Sequence, residues 1–226
     1  MTDPHRYCVV IPVFNGAQTI GDLVQRVKEQ GLPVIVVDDG SQDRTAAVAS
    51  DRGALVISHL QNEGKGRALR TGFEYAVRHR YDGVITMDGD GQHDPEDIPR
   101  LIREGEVQHA GIVLGNRMNN GAVMPRRRRW ANHLMSQIIS LVARQTIPDS
   151  QCGFRVVRRE VLENVPLRST RFEIESELVL RAAAKRWKII SVSVKTIYDA
   201  RHRSHIRPVR EGLRFLWLLM RHAVGQ

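Results

Sequence analysis

The sequence predicts an α/β fold in which a mostly parallel sheet is covered by helices on both faces. Three observations predict it. Short, continuously apolar runs recur through the first half of the chain. Segments with helical apolar spacing separate them, and polar clusters containing glycine follow the runs. Strands buried on both faces read as unbroken apolar stretches, and helical crossovers join parallel neighbours. A length of 226 residues fits one domain with a small appendage. At this size about two thirds of the unfolded surface can be buried.

The elements follow in order. "YCVVIPV" (7–13) reads as a buried strand. Ile20, Leu23, Val24 and Val27 then fall at i, i+3, i+4 and i+7, the spacing of a helix with one apolar face. "PVIVVDD" (33–39) is a second strand, followed by a helix over 44–52. "ALVISHL" (54–60) is a third, followed by a helical face of Leu69, Gly72, Phe73 and Ala76. "GVITMD" (83–88) is a fourth. Asp94 then offers an N-cap, Pro95 suits the first helical position, and Glu96 and Asp97 supply first-turn acids. Ile98, Leu101 and Ile102 continue that helix, and "GIVLGN" (111–116) is a fifth strand.

Ligands of such sheets bind outside the carboxyl ends of the strands. Four polar clusters sit there: "DDGSQDRT" (38–45), "NEGKGRA" (62–68), "DGDGQHDP" (88–95) and "GNRM" (115–118). Turn chemistry explains any one of them. All four on one rim point to a site. Within the third, Asp88 and Asp90 are two residues apart, so in an extended strand end they point the same way. Gln92 adds a neutral oxygen. Hard cations such as Mg²⁺ or Mn²⁺ take oxygen ligands and bind through one or two carboxylates plus substrate phosphates. Gly89 and Gly91 let a phosphate approach the backbone. The expectation is a metal bridged to a diphosphate. Zinc would ask for cysteine and histidine ligands, and no twelve-residue EF-hand loop is present. His93 reads as a loop residue or an outer-shell donor.

Net charge is 34 − 25 = +9, which calls for an anionic partner: nucleic acid, membrane surface or phosphorylated small molecule. Aromatics are only 5% and no stacking motif is visible, which argues against single-stranded nucleic acid. Cys8 and Cys152 are far apart, which suggests a reducing compartment without a disulfide framework. There is no apolar stretch of about 18 residues. The start "MTDPHRYCVVIPVF" has no signal-peptide pattern. A cytoplasmic protein is expected.

"VVIPVFN", "VIVVDDGSQDRT", "NEGKGRALRTGFEYA", "VITMDGDGQHDPEDI" and "DSQCGFRVVRREV" together resemble the family 2 glycosyltransferases of the GT-A fold. The resemblance is to the branch of dolichol-phosphate mannose synthases and polyprenyl-phosphate glycosyltransferases, and it spans about residues 7–210. Members commonly carry Asn-Glu after the first strand, where this chain has Asn15-Gly16. The resemblance implies a catalytic domain over 1–199 and an inverting transfer from a nucleotide sugar, GDP-mannose or UDP-glucose in type, to a polyprenyl or dolichyl phosphate. It places Pro12, Asn15, Asp38 and Asp39 around the nucleotide. The Gly64-Lys65-Gly66 loop would lie against the nucleotide. Asp88, also counted with the nucleotide contacts, would hold the metal together with Asp90 and Gln92.

Arginine suits phosphate through its forked donors. By resemblance, the acceptor phosphate meets Arg117 and Arg128, and Ser136 less directly. "PRRRRWANHLMSQIISLVARQ" (125–145) becomes a helix with Leu134, Ile138, Leu141 and Val142 on one face. Arg126, Arg127 and Arg129 read either as a solvated run or as contacts to anionic headgroups. Asp149 is the usual base of the family's relatives. A phosphomonoester, with a second pKa of about 6, is already ionised at neutral pH, so Asp149 is expected to orient the acceptor or hold a basic residue; a plain turn aspartate is the other reading. Cys152 reads as a small buried residue.

Residues 200–226 are expected to form a basic amphipathic helix, lying on an anionic membrane or packing on protein. By resemblance, Arg203, Ser204 and His205 close over the diphosphate, and membrane association is peripheral. Two other classes of function stay open: a GT-A transferase with a non-lipid acceptor, and a non-enzymatic basic protein binding RNA or membrane.

Overall fold

The computed structural model describes residues 6–118 and 126–197, with Arg126, Arg127 and Arg128 described by backbone alone. The expected C-terminal helix, the boundary near 199, and Arg203, Ser204 and His205 lie outside the described residues. So does the Arg128 side chain.

The chain alternates as expected through β1 (Tyr7–Val13), α1 (Ile20–Glu29), β2 (Val34–Asp38), α2 (Thr45–Asp51), β3 (Leu55–Ser58), α3 (Lys65–Arg78) and β4 (Gly83–Thr86). A 3₁₀ turn at Pro95–Asp97 leads into α4 (Ile98–Val107), then β5 (Ile112–Asn116) and α5 (Arg126–Ala143). The last described elements are β6 (Arg155–Arg158), α6 (Arg159–Asn164), α7 (Ile174–Ala184) and β7 (Ile189–Ser193). Asp94 caps its turn as expected, its side chain accepting from the Glu96 N–H at 3.2 Å.

The seven strands form one sheet in the order β3-β2-β1-β4-β6-β5-β7. All pairings are parallel except those of β6, which is antiparallel to both β4 and β5. Six strands therefore end on one rim, and β6 begins there. The periodicity of the apolar runs did not distinguish this reversed strand.

Alternate side chains of each strand feed opposite layers. Val9, Ile11, Val36, Ile85 and Phe154 pack under α1 and α4 with Leu23, Val27, Ile98 and Leu101. Val10, Ile35, Val37 and Val84 pack under α3 with Leu69 and Phe73. Further along that second face, Ile112, Leu114 and Val157 meet Ile139 of α5 and Leu178 and Val179 of α7. The order reverses beside β1, whose chain neighbour β2 lies on one side and β4 on the other. A crevice opens at such a switch point.

α3 crosses β1 at glycine distance. A Cβ at Gly72 would lie 2.3 Å from Val10 Cγ1. Gly72→Ala is expected to cost about 1–3 kcal/mol through overpacking. The readout is a lower urea midpoint at unchanged slope; an unchanged midpoint would show that α3 shifts freely.

Candidate active site

The loops on the carboxyl rim are built by short side-chain-to-backbone bonds. After β1, Asn15 adopts a positive φ of 51°. Its Oδ1 accepts from the Gln42 N–H at 2.8 Å, and its own N–H donates to Ser41 Oγ at 2.8 Å. Gly16 N–H donates to Thr45 Oγ1 and Ala17 N–H to Asp43 Oδ2, at 2.8 and 3.2 Å. The loops after β1 and β2 thus form one unit. Asp38 is buried and accepts from the Ser41 N–H at 3.1 Å.

The Asp39 carboxylate is hydrogen-bonded within the protein. It accepts from the backbone N–H groups of Glu63 and Gly64 at 2.9 and 2.7 Å and pairs with His59 Nδ1 at 2.8 Å. It fixes the entry to α3. Gly66 has a steric reason of its own: a Cβ there would lie 2.6–2.8 Å from the backbone of Thr170 and Arg171. The glycines of "NEGKGRA" seat α3 against residues 170–171, which frees Lys65 to reach inward.

Lys65 Nζ lies 2.5 Å from Asp88 Oδ1 and 2.8 Å from Glu175 Oε1. Glu175 in turn faces the buried Arg155, whose guanidinium donates to the carbonyls of Cys152, Glu175 and Ser150 at 2.6–2.8 Å. Burial opposes ionisation of Asp88, but the Lys65 ammonium and the nearby His93 ring outweigh it and hold the carboxyl well below its ordinary range. His93 is buried, its Nε2 3.6 Å from Asp88 Oδ2 and its ring 5.3 Å from that of Phe154. Gly153 leaves room for the Asp88 carboxylate, since a Cβ there would sit 2.5 Å from Oδ2.

The aspartates of "DGDG" are not on an extended strand end. β4 stops at Thr86, and 88–91 turn, with Gly91 at φ 73°. Asp90 Oδ1 accepts from the Gln92 N–H at 3.0 Å. No partner of Asp90 Oδ2 occurs among the described residues. No cluster of three or more His, Cys, Asp or Glu side chains suited to a metal occurs among the described residues either. The oxygen set of Asp88, Asp90 and Gln92 fits a hard cation only if further oxygens come from elsewhere.

Arg117 and Asp149 form the second half of the site. Arg117 Nε donates to Asp149 Oδ2 at 2.9 Å and Nη2 to Oδ1 at 3.1 Å, while its backbone N–H also reaches Oδ2 at 3.2 Å. Asn132 of α5 donates to Oδ1 at 3.0 Å. Asp149 is fully buried. Burial raises its pKa, but the hydrogen bonds and charge of Arg117 prevail and hold it below the ordinary value. Ser136, expected at the acceptor phosphate, is buried, sharing a 3.1 Å hydrogen bond with Ser150 Oγ and accepting from the Ser150 N–H at 2.9 Å. Its hydroxyl is taken up in holding the 149–154 segment. Burial pushes the Cys152 thiol up to about 12, which leaves no thiolate nucleophile.

Sequence reasoning missed Glu175, Arg155, Gly153 and Asn132. The signal for Glu175 was present in "FEIESE" (172–177), where acids interrupt an otherwise apolar helix.

The profile described as Glycosyl transferase family 2 matches residues 8–165. The chain belongs to this family. A UDP-N-acetylglucosamine–dolichyl-phosphate N-acetylglucosaminyltransferase from Methanococcus voltae is 28% identical, covering 96% of this chain and 96% of its own. A polyprenol monophosphomannose synthase from Mycolicibacterium smegmatis is 29% identical over 84% of this chain and 76% of its own. Among solved structures, glucosyl-3-phosphoglycerate synthase from Mycobacterium tuberculosis, in complex with Mn²⁺, UDP and phosphoglyceric acid, superposes with a TM-score of 0.75 at 22% identity. It covers 96% of this chain and 78% of that one. The fold is the expected GT-A fold, and this family 2 chain is a glycosyltransferase.

The Arg117–Asp149 pair sets a pH limit. The folded carboxyl of Asp149 is depressed, so the unfolded chain takes up the proton first. Its stabilisation is complete above the unfolded value of about 4 and is lost as pH falls through the folded one. Asp149→Asn leaves Arg117 without its counter-charge and is expected to cost about 3–5 kcal/mol. Urea unfolding from pH 7 to 3 should show a lower midpoint in the variant and a shallower acid slope than the wild type.

Proposed function

We propose that this glycosyltransferase moves a sugar, with inversion, from a nucleotide diphosphate to a polyprenyl phosphate, with a divalent cation at the donor. The observation that carries the reading is the burial of Asp149 under a bidentate Arg117. The site presents a held cation to the acceptor and spends its nearest carboxylate on holding it. An acceptor hydroxyl would need a base. A phosphomonoester, already ionised, needs a counter-charge and an aim.

In this reading Arg117 steadies the acceptor phosphate, and Arg128 joins it. A phosphate oxygen attacks the anomeric carbon, and the bond to the donor diphosphate breaks with its electron pair leaving on the diphosphate. Asp88, Asp90 and Gln92 would hold Mg²⁺ or Mn²⁺, the donor phosphates completing the oxygen set. The cation supplies charge neutralisation for the departing diphosphate. Lys65, aimed by Glu175, adds a second positive charge beside Asp88. Pro12, Asn15 and Asp38 would line the nucleotide, while Asp39 and Gly66 position the loop that carries Lys65. Asp149 positions Arg117. Arg203, Ser204 and His205 are proposed to close over the diphosphate.

The two relatives named above support a polyprenyl-type acceptor, and their names differ in the donor sugar. The donor here is therefore left to a panel. A lipid acceptor places the enzyme at the cytoplasmic membrane surface as a peripheral protein. Among the described residues no helix is long and apolar enough to cross a membrane.

Thermal shift with UDP- and GDP-sugars, with and without Mn²⁺ or Mg²⁺, tests the donor half. At a ligand excess of about 100 Kd the fold gains about 2.7 kcal/mol. Metal-dependent stabilisation in the wild type and its loss in Asp90→Ala are expected. The acceptor half is read with a short-chain polyprenyl phosphate in detergent. Transfer to phosphoglycerate instead would reassign the acceptor.

A further inference from the structure

α5 carries two different faces. One packs inward through the buried Asn132, Ser136, Ile139 and Ala143. The other exposes Trp130 at 69%, Leu141 at 80%, and also Leu134 and Val142, with the polar His133 and Gln137 hydrogen-bonded to each other on the same side. Trp130, Leu134 and Leu141 fall within about 40° of one another around the helix and span about 17 Å along it. Of the apolar face read from the sequence, Leu134, Leu141 and Val142 point to solvent, while Ile138 packs against the core.

The sequence of the helix and its flanks is one-sided in charge. From Val107 to Pro148, 42 residues, the chain contains no Asp or Glu, while it holds Arg126, Arg127, Arg128, Arg129 and Arg144; Arg117, in the same stretch, is neutralised by Asp149. An apolar stripe with tryptophan near a run of arginines has the composition of a helix lying in a membrane interface. A second copy of this chain is a poorer occupant, because self-pairing would bring arginine runs together. The C-terminal segment, with arginines at 201, 203, 207, 210, 214 and 221, would repel in the same way.

We infer that the outer face of α5 docks on an anionic bilayer, with Trp130, Leu134 and Leu141 entering the headgroup boundary. The inner face of the same helix holds the acceptor side of the site, through Asn132 on Asp149 and Ser136 on Ser150. Docking by α5 would therefore fix the acceptor side of the site relative to the membrane, through the chain of contacts from Asn132 to Asp149 to Arg117. This deepens the lipid-acceptor reading and rests on it for its purpose, but the docking can be measured without turnover.

The experiment uses the full chain and vesicles of phosphatidylcholine with or without phosphatidylglycerol. The variant Trp130→Ser/Leu134→Gln/Leu141→Gln is expected to keep its urea midpoint and its transfer to a short-chain acceptor in detergent. It should lose at least about tenfold in binding to anionic vesicles. Unchanged vesicle binding would overturn the inference. So would a change in oligomeric mass with unchanged vesicle binding, which would make the face a contact between copies. Should the triple variant fail to fold, Leu141→Cys carrying an environment-sensitive dye replaces it; the native Cys8 and Cys152 are buried and spared from labelling. A blue shift on anionic vesicles supports docking, and no shift overturns it. If the wild type transfers no sugar to the detergent-soluble acceptor, the lipid-acceptor reading fails by itself, and the vesicle result still decides the docking.

Discussion

Between β4 and β5 the sheet holds β6 in antiparallel pairing, so the segment before β6 emerges where the parallel strands end. Asp149, Gly153 and the Ser150 and Cys152 carbonyls held by Arg155 reach the rim for this reason. A parallel strand in that place would have put them at the opposite edge. The reversed strand joins the two halves of the site. Gly153 accepts a hydrogen bond from Thr86 Oγ1 at 2.7 Å and leaves room for the Asp88 carboxylate, while Asp149 takes Arg117 at the end of β5.

The rim gathers many charges, and the structure handles them by pairing. Asp88 lies against Lys65, Lys65 against Glu175, and Asp149 against Arg117. Such buried pairs add little net stability, because desolvation offsets their attraction, yet breaking one strands its partner. Their value here is positional. Each donor or cation is held before a ligand arrives, which is what electrostatic preorganisation requires.

α5 links the site to the surface. Its inner residues are polar where they face the site, at Asn132 and Ser136, and apolar where they meet the core, at Ile139 and Ala143. Its outer side exposes Trp130, Leu134, Leu141 and Val142 beside the polar His133 and Gln137. Its inner face touches Asp149 through Asn132, and Asp149 in turn holds Arg117.

The sequence by itself determined the alternation of strands and helices, the gathering of the polar clusters on one rim, and the oxygen-rich loop at 88–92. These follow from local periodicity and turn chemistry, which neighbouring residues specify. It also marked the apolar stripe of α5, though not its direction, since periodicity does not say which side of a helix meets the core. Only the tertiary structure decided that β6 runs backwards, that the Asp39 carboxylate and the Ser136 hydroxyl hydrogen-bond within the protein, and that Glu175 and Lys65 meet across 110 positions of chain. Those facts depend on contacts between distant segments. A carboxylate in a loop looks the same in sequence whether its partner is a substrate or a backbone N–H, and packing alone assigns the partner.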